Sequence, residues 1–347
     1  MKTWQLLKRD PSLWDRYFIR EKLIKEARAY FEHEGFHEVE VPLLIARPPA
    51  ESYLEVFETT LLDRNRNPKQ AYLSTSPEVP LKKLMVSGIG NCYALTKSFR
   101  NMETQSVLHN SEFTILEWYR VGADYTDIMS DVERLVGSMQ ERLHPGSPAL
   151  HYQGHVIDLS APWERLTVAQ AFETWAGIDF DQFLDVEQAR RIAREKGYRV
   201  EAQTTWEELY NQIFLNEIEQ HLGMKKPTIL YEFPGTMGAL ARKKKADPRF
   251  AERFEFYIHG LELGDCYSEL TDWKEQEERF KAELKEIERR GRTTYDYDHD
   301  FIDALKTGLP RSSGIAVGLD RLVMLFADVK TIQETLFFPA SELFEEA

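Results

Sequence analysis

The sequence predicts an α+β fold, an antiparallel β-sheet flanked by helices. Three observations carry that prediction: β-type runs cluster between residues 91 and 119, a helical pattern fills residues 165–225, and β-type runs resume between 228 and 270. Consecutive strands interrupted once by helices fit an antiparallel α+β domain, not the strict alternation of a doubly wound sheet. The chain has 347 residues, 42% hydrophobic and 12% aromatic, which supplies a large core and excludes wholesale disorder. The expected organisation is a single domain over residues 1–347 with a helical insert at 165–225.

Each element has its own signal. Asp10-Pro11 reads as an N-cap followed by proline at the first helical position. Tyr17, Leu23, Ile24, Ala27, Tyr30 and Phe31 then recur at helical spacing, and Gly35 closes the helix. Phe36 to Leu44 reads as a strand that ends at Pro42. Residues 91–100 and 111–119 are two strands joined by the polar loop Asn101–Asn110, and alternation puts Phe113, Ile115, Glu117 and Tyr119 on one face. Residues 149–158 look like a hairpin, and residues 167–222 are helical. Strands follow at Thr228–Phe233 and Arg253–Leu270. A charged helix, Trp273–Arg290, turns Phe280, Leu284 and Ile287 inward and stops at Gly291. The last elements are a glycine-punctuated strand, Ser313–Gly318, and a helix from Leu319.

Composition removes several function classes. The 44 Lys+Arg against 58 Asp+Glu give a net charge of −14, which argues against a broad nucleic-acid surface. No apolar run reaches the ~18 residues needed to span a bilayer, and the N-terminus has no signal-peptide stretch. The two cysteines, Cys92 and Cys266, form no CxxC, so a disulfide scaffold and a cysteine-built zinc site are excluded and a reducing cytoplasm is expected. There is no Walker A sequence, GxGxxG, HExxH or GxSxG elbow.

Four segments carry chemistry. In Arg253–Glu262 a two-residue turn at His259-Gly260 would pair Tyr257 with Glu262 and make Glu255 its diagonal neighbour. Two carboxylates on one sheet face suit a hard divalent cation completed by phosphate oxygens, or they simply face solvent. Asp265, Tyr267 and Glu269 alternate, and strict hairpin parity puts them on the opposite face from Glu262. They join it only through a bulge, for which Gly264 is suited; otherwise they form an acidic edge. Gly314–Arg321 reads as a strand running into a helix, with Arg321 offering fork-shaped donors to a phosphate or making an ordinary structural contact. Arg100 and Phe113 end and begin neighbouring strands, so a planar base could stack on the ring while the arginine binds its phosphate.

Taken together, these segments resemble the signature motifs of class II aminoacyl-tRNA synthetases in their lysyl form. EVEVPLL ending after Pro42 is similar to motif 1, SFRNMETQSVLHNSEFTILEWY to motif 2, and GIAVGLDRLVML to motif 3; LYEFPG, RFEFYIHGLELG and YSELTD match the lysyl subgroup. The chain begins directly at the helix before motif 1, where lysyl synthetases carry an anticodon-binding OB-fold. TSPE at Thr75–Glu78, APWERLTVAQAF, and Ala316 in place of the usual glycine resemble the branch that ligates (R)-β-lysine to elongation factor P. The resemblance implies that ATP and Mg²⁺ activate lysine or β-lysine, and that the acyl group passes to a lysine of elongation factor P. It also implies a homodimer; the acidic balance and the absent OB-fold count against tRNA, and no membrane partner is expected. A stand-alone ligase charging tRNA or a carrier protein, and a catalytically silent regulatory paralogue, are the alternatives.

By the same resemblance, Arg100 and Arg321 are catalytic, holding the α-phosphate with the substrate carboxylate and the γ-phosphate respectively. Asn101, Glu103, His109, Asn110, Phe113, Glu262, Leu263 and Gly318 join them around ATP, with Phe113 stacked on adenine, and Glu255 and Glu262 hold Mg²⁺. Ser76, Glu78, Glu117, Tyr119, Asp265, Tyr267, Glu269 and Ala316 surround the amino acid. The sequence departs from the family at Met102, where an acid is one residue late as Glu103, at Leu108, and at Asp265-Cys266-Tyr267, which replaces Asn-Gly-Phe. An ionised aspartate only accepts hydrogen bonds and adds a negative charge, so Asp265 is expected to shift which amino group the pocket prefers.

Overall fold

A computed structural model describes residues 2–103, 106–238 and 240–344. Helix α1 (Thr3–Arg9) precedes a short turn in which Asp10 accepts from the Ser12 amide at 3.0 Å, and α2 (Trp14–His33) follows. The turn out of α2 uses Gly35 at φ 75°, a left-handed conformation that glycine adopts without strain. Beyond it the expected strand Phe36–Leu44 is two separate pairs, β1 (His37–Glu38) and β2 (Leu44–Ile45), in different sheets. Pro42 lacks the amide a continuous ladder needs, and the chain crosses between sheets there.

Strands β3 (Glu58–Leu62) and β4 (Pro68–Leu73) complete the small sheet with β2. Helix α3 (Glu78–Val86) leads into β5 (Cys92–Phe99), β6 (Glu112–Val121) and α4 (Tyr125–Leu143). Then come the hairpin β7 (Ala149–Tyr152) and β8 (His155–Asp158), and β9 (Glu164–Thr167). The helical block contains α5 (Val168–Ala171), α6 (Phe180–Phe183), α7 (Val186–Glu195) and α8 (Trp206–Ile213). The rest of the chain supplies β10 (Thr228–Tyr231), β11 (Arg253–Ile258), β12 (Leu261–Ser268), α9 (Trp273–Arg289), α10 (His299–Gly308), β13 (Ser312–Gly318), α11 (Leu319–Phe326) and α12 (Ala340–Leu343). The helical insert starts after β9, so residues 165–167 are strand and not helix.

The large sheet runs β1-β5-β6-β13-β12-β11-β10-β9. Its six central strands are antiparallel, as expected, but both outer pairs, β1–β5 and β9–β10, are parallel. Parallel neighbours need a long crossover, and the helical block is the crossover from β9 to β10. One face of the sheet buries Leu116, Trp118, Phe254, Phe256 and Ile315 with Phe31 of α2 and Leu322 of α11. On the other face Tyr257 packs with Phe172, Tyr210 and Ile213 of the helical block. Alternation thus gives β6, β11, β12 and β13 an apolar face toward α2, α4 and α11, and frees the opposite face to line a cavity.

Candidate active site

A cavity of about 530 Å³ opens over that second face. Strand β6 contributes Phe113, Ile115, Glu117 and Tyr119 to its lining, as alternation required. On β11 and β12, Tyr257 is opposite Glu262 but Phe256 is opposite Gly264, so Leu263 is an extra residue in the ladder. This bulge brings Asp265 and Tyr267 onto the face of Glu262. Gly264 is needed there, because a Cβ would come within 2.7 Å of the Phe256 ring and 2.8 Å of the Ala316 carbonyl. At Gly314, opposite Tyr119, a Cβ would be 2.2 Å from the Tyr119 ring. Gly318 differs: among the described residues the nearest atoms to its Cβ position, on Arg321 and Leu263, are 3.9 Å away, so packing does not demand a glycine.

Ser76, Glu78, Arg100, Glu103, His109, Asn110, Glu255, Leu263, Ala316 and Arg321 also line the cavity. Two expected residues do not. Asn101 turns its side chain onto the Met102 amide at 2.9 Å, and Glu269 lies behind the wall, 1% exposed. Asn110 lines the cavity but spends its side chain on the Glu112 carbonyl at 2.6 Å and the Ala340 amide at 3.0 Å, which anchors α12.

The lining carries ten carboxylates, Glu51, Glu78, Glu103, Glu117, Glu207, Glu255, Glu262, Asp265, Glu283 and Asp320, against Arg100, Arg253 and Arg321. The Arg100 guanidinium lies 5.1 Å from the Phe113 ring, and its buried Nε has no hydrogen-bond partner among the described residues. A cation so placed accommodates an anion such as a phosphate or carboxylate. Arg321 donates to the Glu262 carbonyl at 2.6 Å and to His109 Nε2 at 2.8 Å. Arginine has no acceptor, so His109 Nε2 must accept, and its Nδ1 carries the proton toward Ser106 Oγ at 2.8 Å. Burial, then Arg321 and Arg100, push the His109 pKa down to about 4, keeping the ring neutral.

Asp265 does not present a free negative charge. It takes a two-point fork from Arg253, both contacts 2.9 Å, and the Tyr267 hydroxyl at 2.7 Å. The expected shift in amino-group preference therefore loses its basis, since the added charge is neutralised within the wall. Arg253 also donates to Glu255 and to the Met237 carbonyl, each at 2.6 Å. Glu255 receives the Tyr257 hydroxyl as well. Burial raises its pKa to about 8, with Arg253 opposing and Glu262 adding to the rise. Among the described residues no three His, Cys, Asp or Glu side chains are placed to hold a metal ion. Glu255 and Glu262 both line the cavity, and paired carboxylates of this kind suit a cation whose remaining ligands come from bound phosphate, which would relieve their mutual repulsion.

A deeper acidic group surrounds Lys82. Its ammonium is 2.5 Å from Glu78 Oε1 and 2.5 Å from Glu269 Oε2. Tyr119 donates to Glu117 Oε1 at 2.6 Å, while Glu117 Oε2, also buried, has no partner among the described residues. Burial raises Glu269 to about 7 despite Lys82, and burial followed by the Glu78 charge raises Glu117 well above the carboxylate range. Burial likewise lifts Glu51 to about 7. Sequence reasoning missed Glu51, Lys82, Arg253, Glu207 and Glu283. Alternation with Glu255 could have found Arg253, and the i, i+4 spacing from Glu78 could have found Lys82; Glu207 and Glu283 come from distant helices and left no local signal. A second cavity, about 560 Å³, is lined by Pro42, Leu44 and Val79, and its Lys83 is already satisfied by Asp298 and Asp300, each at 2.7 Å.

Residues 2–342 match the family described as tRNA synthetases class II (D, K and N), and the chain belongs to that family. It is 36% identical over 327 residues to the lysine–tRNA ligase of Listeria monocytogenes, covering 94% of this chain and 64% of that protein. The lysine–tRNA ligase of Bacillus subtilis is 35% identical over 330 residues, 95% of this chain and 64% of its own length. That of Staphylococcus aureus is 35% identical over 331 residues, 93% and 64% respectively. The chain therefore spans just under two thirds of the length of these relatives. No helix among the described residues is long and apolar enough to cross a membrane.

Proposed function

We propose that the protein activates a lysine-type amino acid with ATP as an aminoacyl-adenylate and transfers it to a lysine side chain of elongation factor P. The observation that carries the activation step is the Arg100 guanidinium on Phe113, whose buried Nε has no partner among the described residues, at the edge of a cavity rich in carboxylates. A substrate with two ammonium groups is what a cavity of ten carboxylates and three arginines favours, and the phosphates of ATP would fall to the arginines. Arg100 would hold the α-phosphate and the amino-acid carboxylate in line, Phe113 would stack on the base, and Arg321 would take the γ-phosphate end. Little proton transfer is required, so the residues act by positioning and charge neutralisation. Glu262 and Glu255 would hold Mg²⁺, which supplies charge neutralisation of the phosphates. Glu117, whose Oε2 has no partner among the described residues, and Tyr119 would receive the substrate's side-chain ammonium.

For the acceptor, the net charge of −14 and the acidic cavity favour an amine-bearing protein over the phosphate-rich end of an RNA. The names of the relatives favour a second reading, transfer to tRNA. Incubation with ATP, Mg²⁺ and each lysine isomer, offering elongation factor P and lysine tRNA separately, decides between them. A mass increase of one acyl group on a lysine of elongation factor P is expected; charging of tRNA alone would overturn the acceptor assignment. Acylation of neither, with no adenylate formed, would favour a silent paralogue.

A further inference from the structure

Lys82 takes no part in the adenylation proposed above, yet it is among the largest fully buried side chains, 2% exposed. It is one helical turn after Glu78 on α3, so the two share a face. Its ammonium is shared between Glu78, with a hydrogen bond of 2.5 Å, and Glu269, whose Oε2 is at 2.5 Å in an ion-pair contact. Burial pulls the Lys82 pKa down, but Glu269 and Glu78 outweigh it, so the ammonium is held charged.

Helix α3 presents Glu78, β6 presents Glu117 and Tyr119, and β5 presents Cys92, which feels the Glu117 charge. From β12 come Tyr267 and Cys266, and just beyond its end Glu269, which also accepts from the Gly314 amide. Glu51 acts on the same group through Glu78, and Arg100 acts on Glu51. On α10 and at its N-cap, Asp300 and Asp298 are taken by Lys83, not Lys82. Of the three carboxylates, Glu78 and Glu269 share the Lys82 ammonium, and Glu117 Oε2 has no partner among the described residues.

We propose that Lys82 is a positioning residue for the amino-acid substrate: it fixes Glu78 and Glu269 around an internal ammonium, so that the pocket leaves a place for a single further ammonium, which the substrate side chain brings to Glu117 Oε2. This deepens, and rests on, the lysine-type reading above. Lys82 belongs to the protein's own charge balance. It therefore sets the pH range over which the pocket accepts a cation without touching the reacting atoms.

The test uses Lys82→Met and Lys82→Arg, with pyrophosphate exchange driven by α-lysine and by (R)-β-lysine from pH 6 to 9. The same proteins are used to titrate the Glu269 carboxyl carbon by NMR. Lys82→Met is expected to raise KM at pH 7 by about tenfold or more while kcat changes less than about threefold, with the gap narrowing toward pH 9. The Glu269 midpoint moves upward by at least about one pH unit. Lys82→Arg keeps the charge, so that midpoint stays, but its wider planar group displaces the carboxylates and KM rises. A fall in kcat with KM unchanged, or a Glu269 midpoint that stays put in Lys82→Met, overturns the proposal. If Lys82→Met does not fold, an unchanged KM in Lys82→Arg overturns it. If no lysine isomer drives exchange in the wild type, the lysine-type reading fails, while the Glu269 titration still judges Lys82.

Discussion

Replacing Asp265 by asparagine tests whether the cavity wall is the self-neutralised pair described above. The change keeps the side chain's shape but removes the charge that faces Arg253 in a two-point fork. Both partners are largely buried, with side-chain exposures of 13% for Arg253 and 23% for Asp265. Removing one partner of a buried pair destabilises by about 3–5 kcal/mol. Arg253 keeps Glu255 and the Met237 carbonyl, so the lower end, about 3 kcal/mol, is expected. With unfolding entropy near 2 cal/mol/K per residue, that is roughly 4 °C in Tm for a chain of this length. The released Arg253 charge also repels a cationic substrate. At an effective dielectric of about 20, this weakens lysine binding by roughly 2 kcal/mol, some thirtyfold. Thermal unfolding and lysine titration of Asp265→Asn are the assays. A variant as stable as the wild type with equal lysine affinity would show that Asp265 and Arg253 do not balance each other in the wall.

Other outcomes follow from the same geometry. Lysine affinity should rise between pH 6 and 8, because the cation binds ionised carboxylates and Glu269 and Glu51 titrate near 7; calorimetry with proton-release measurement checks it. Without substrate the protein should lose stability as pH rises from about 4.5 to 7. The folded form keeps a Glu269 proton that the unfolded chain has already released, worth roughly 3 kcal/mol above that window, and pH-dependent urea unfolding reads it. Gly314→Ala forces a methyl group to 2.2 Å from the Tyr119 ring, so it should destabilise by about 1–3 kcal/mol and weaken lysine binding as Tyr119 leaves Glu117. Arg100→Met should abolish nucleotide-dependent activity by about a hundredfold or more while stability changes by less than about 1 kcal/mol, because that guanidinium forms no ion pair among the described residues.

Much of this was legible because strand alternation has a strict period. Phe113, Glu117 and Tyr119 had to share a face, and the parity conflict between Glu262 and Asp265 left a bulge or an acidic edge open, of which the chain makes the bulge at Leu263-Gly264. The fold class followed from the grouping of strands, yet the parallel outer pairs did not, since β1 has two residues and no hydrophobic pattern to read. The strand expected across Pro42 splits between sheets because local alternation says nothing about which sheet a segment joins. Side-chain pairing was the least visible layer. Asp265 looked like an added charge until Arg253 was seen beside it, and Glu269 looked exposed to substrate until Lys82 was seen holding it. Those contacts join separate strands and helices, and each partner alone reads as ordinary.

The central claim is that this cavity forms an adenylate from a lysine-type amino acid. Amino-acid-dependent ATP–pyrophosphate exchange in the presence of Mg²⁺ tests it most directly, with (R)-β-lysine, (S)-β-lysine, α-lysine, ornithine and arginine compared side by side. Exchange with a lysine isomer that is lost in Arg100→Met is expected. Exchange with none of the five, or exchange that survives the loss of Arg100, would contradict that claim.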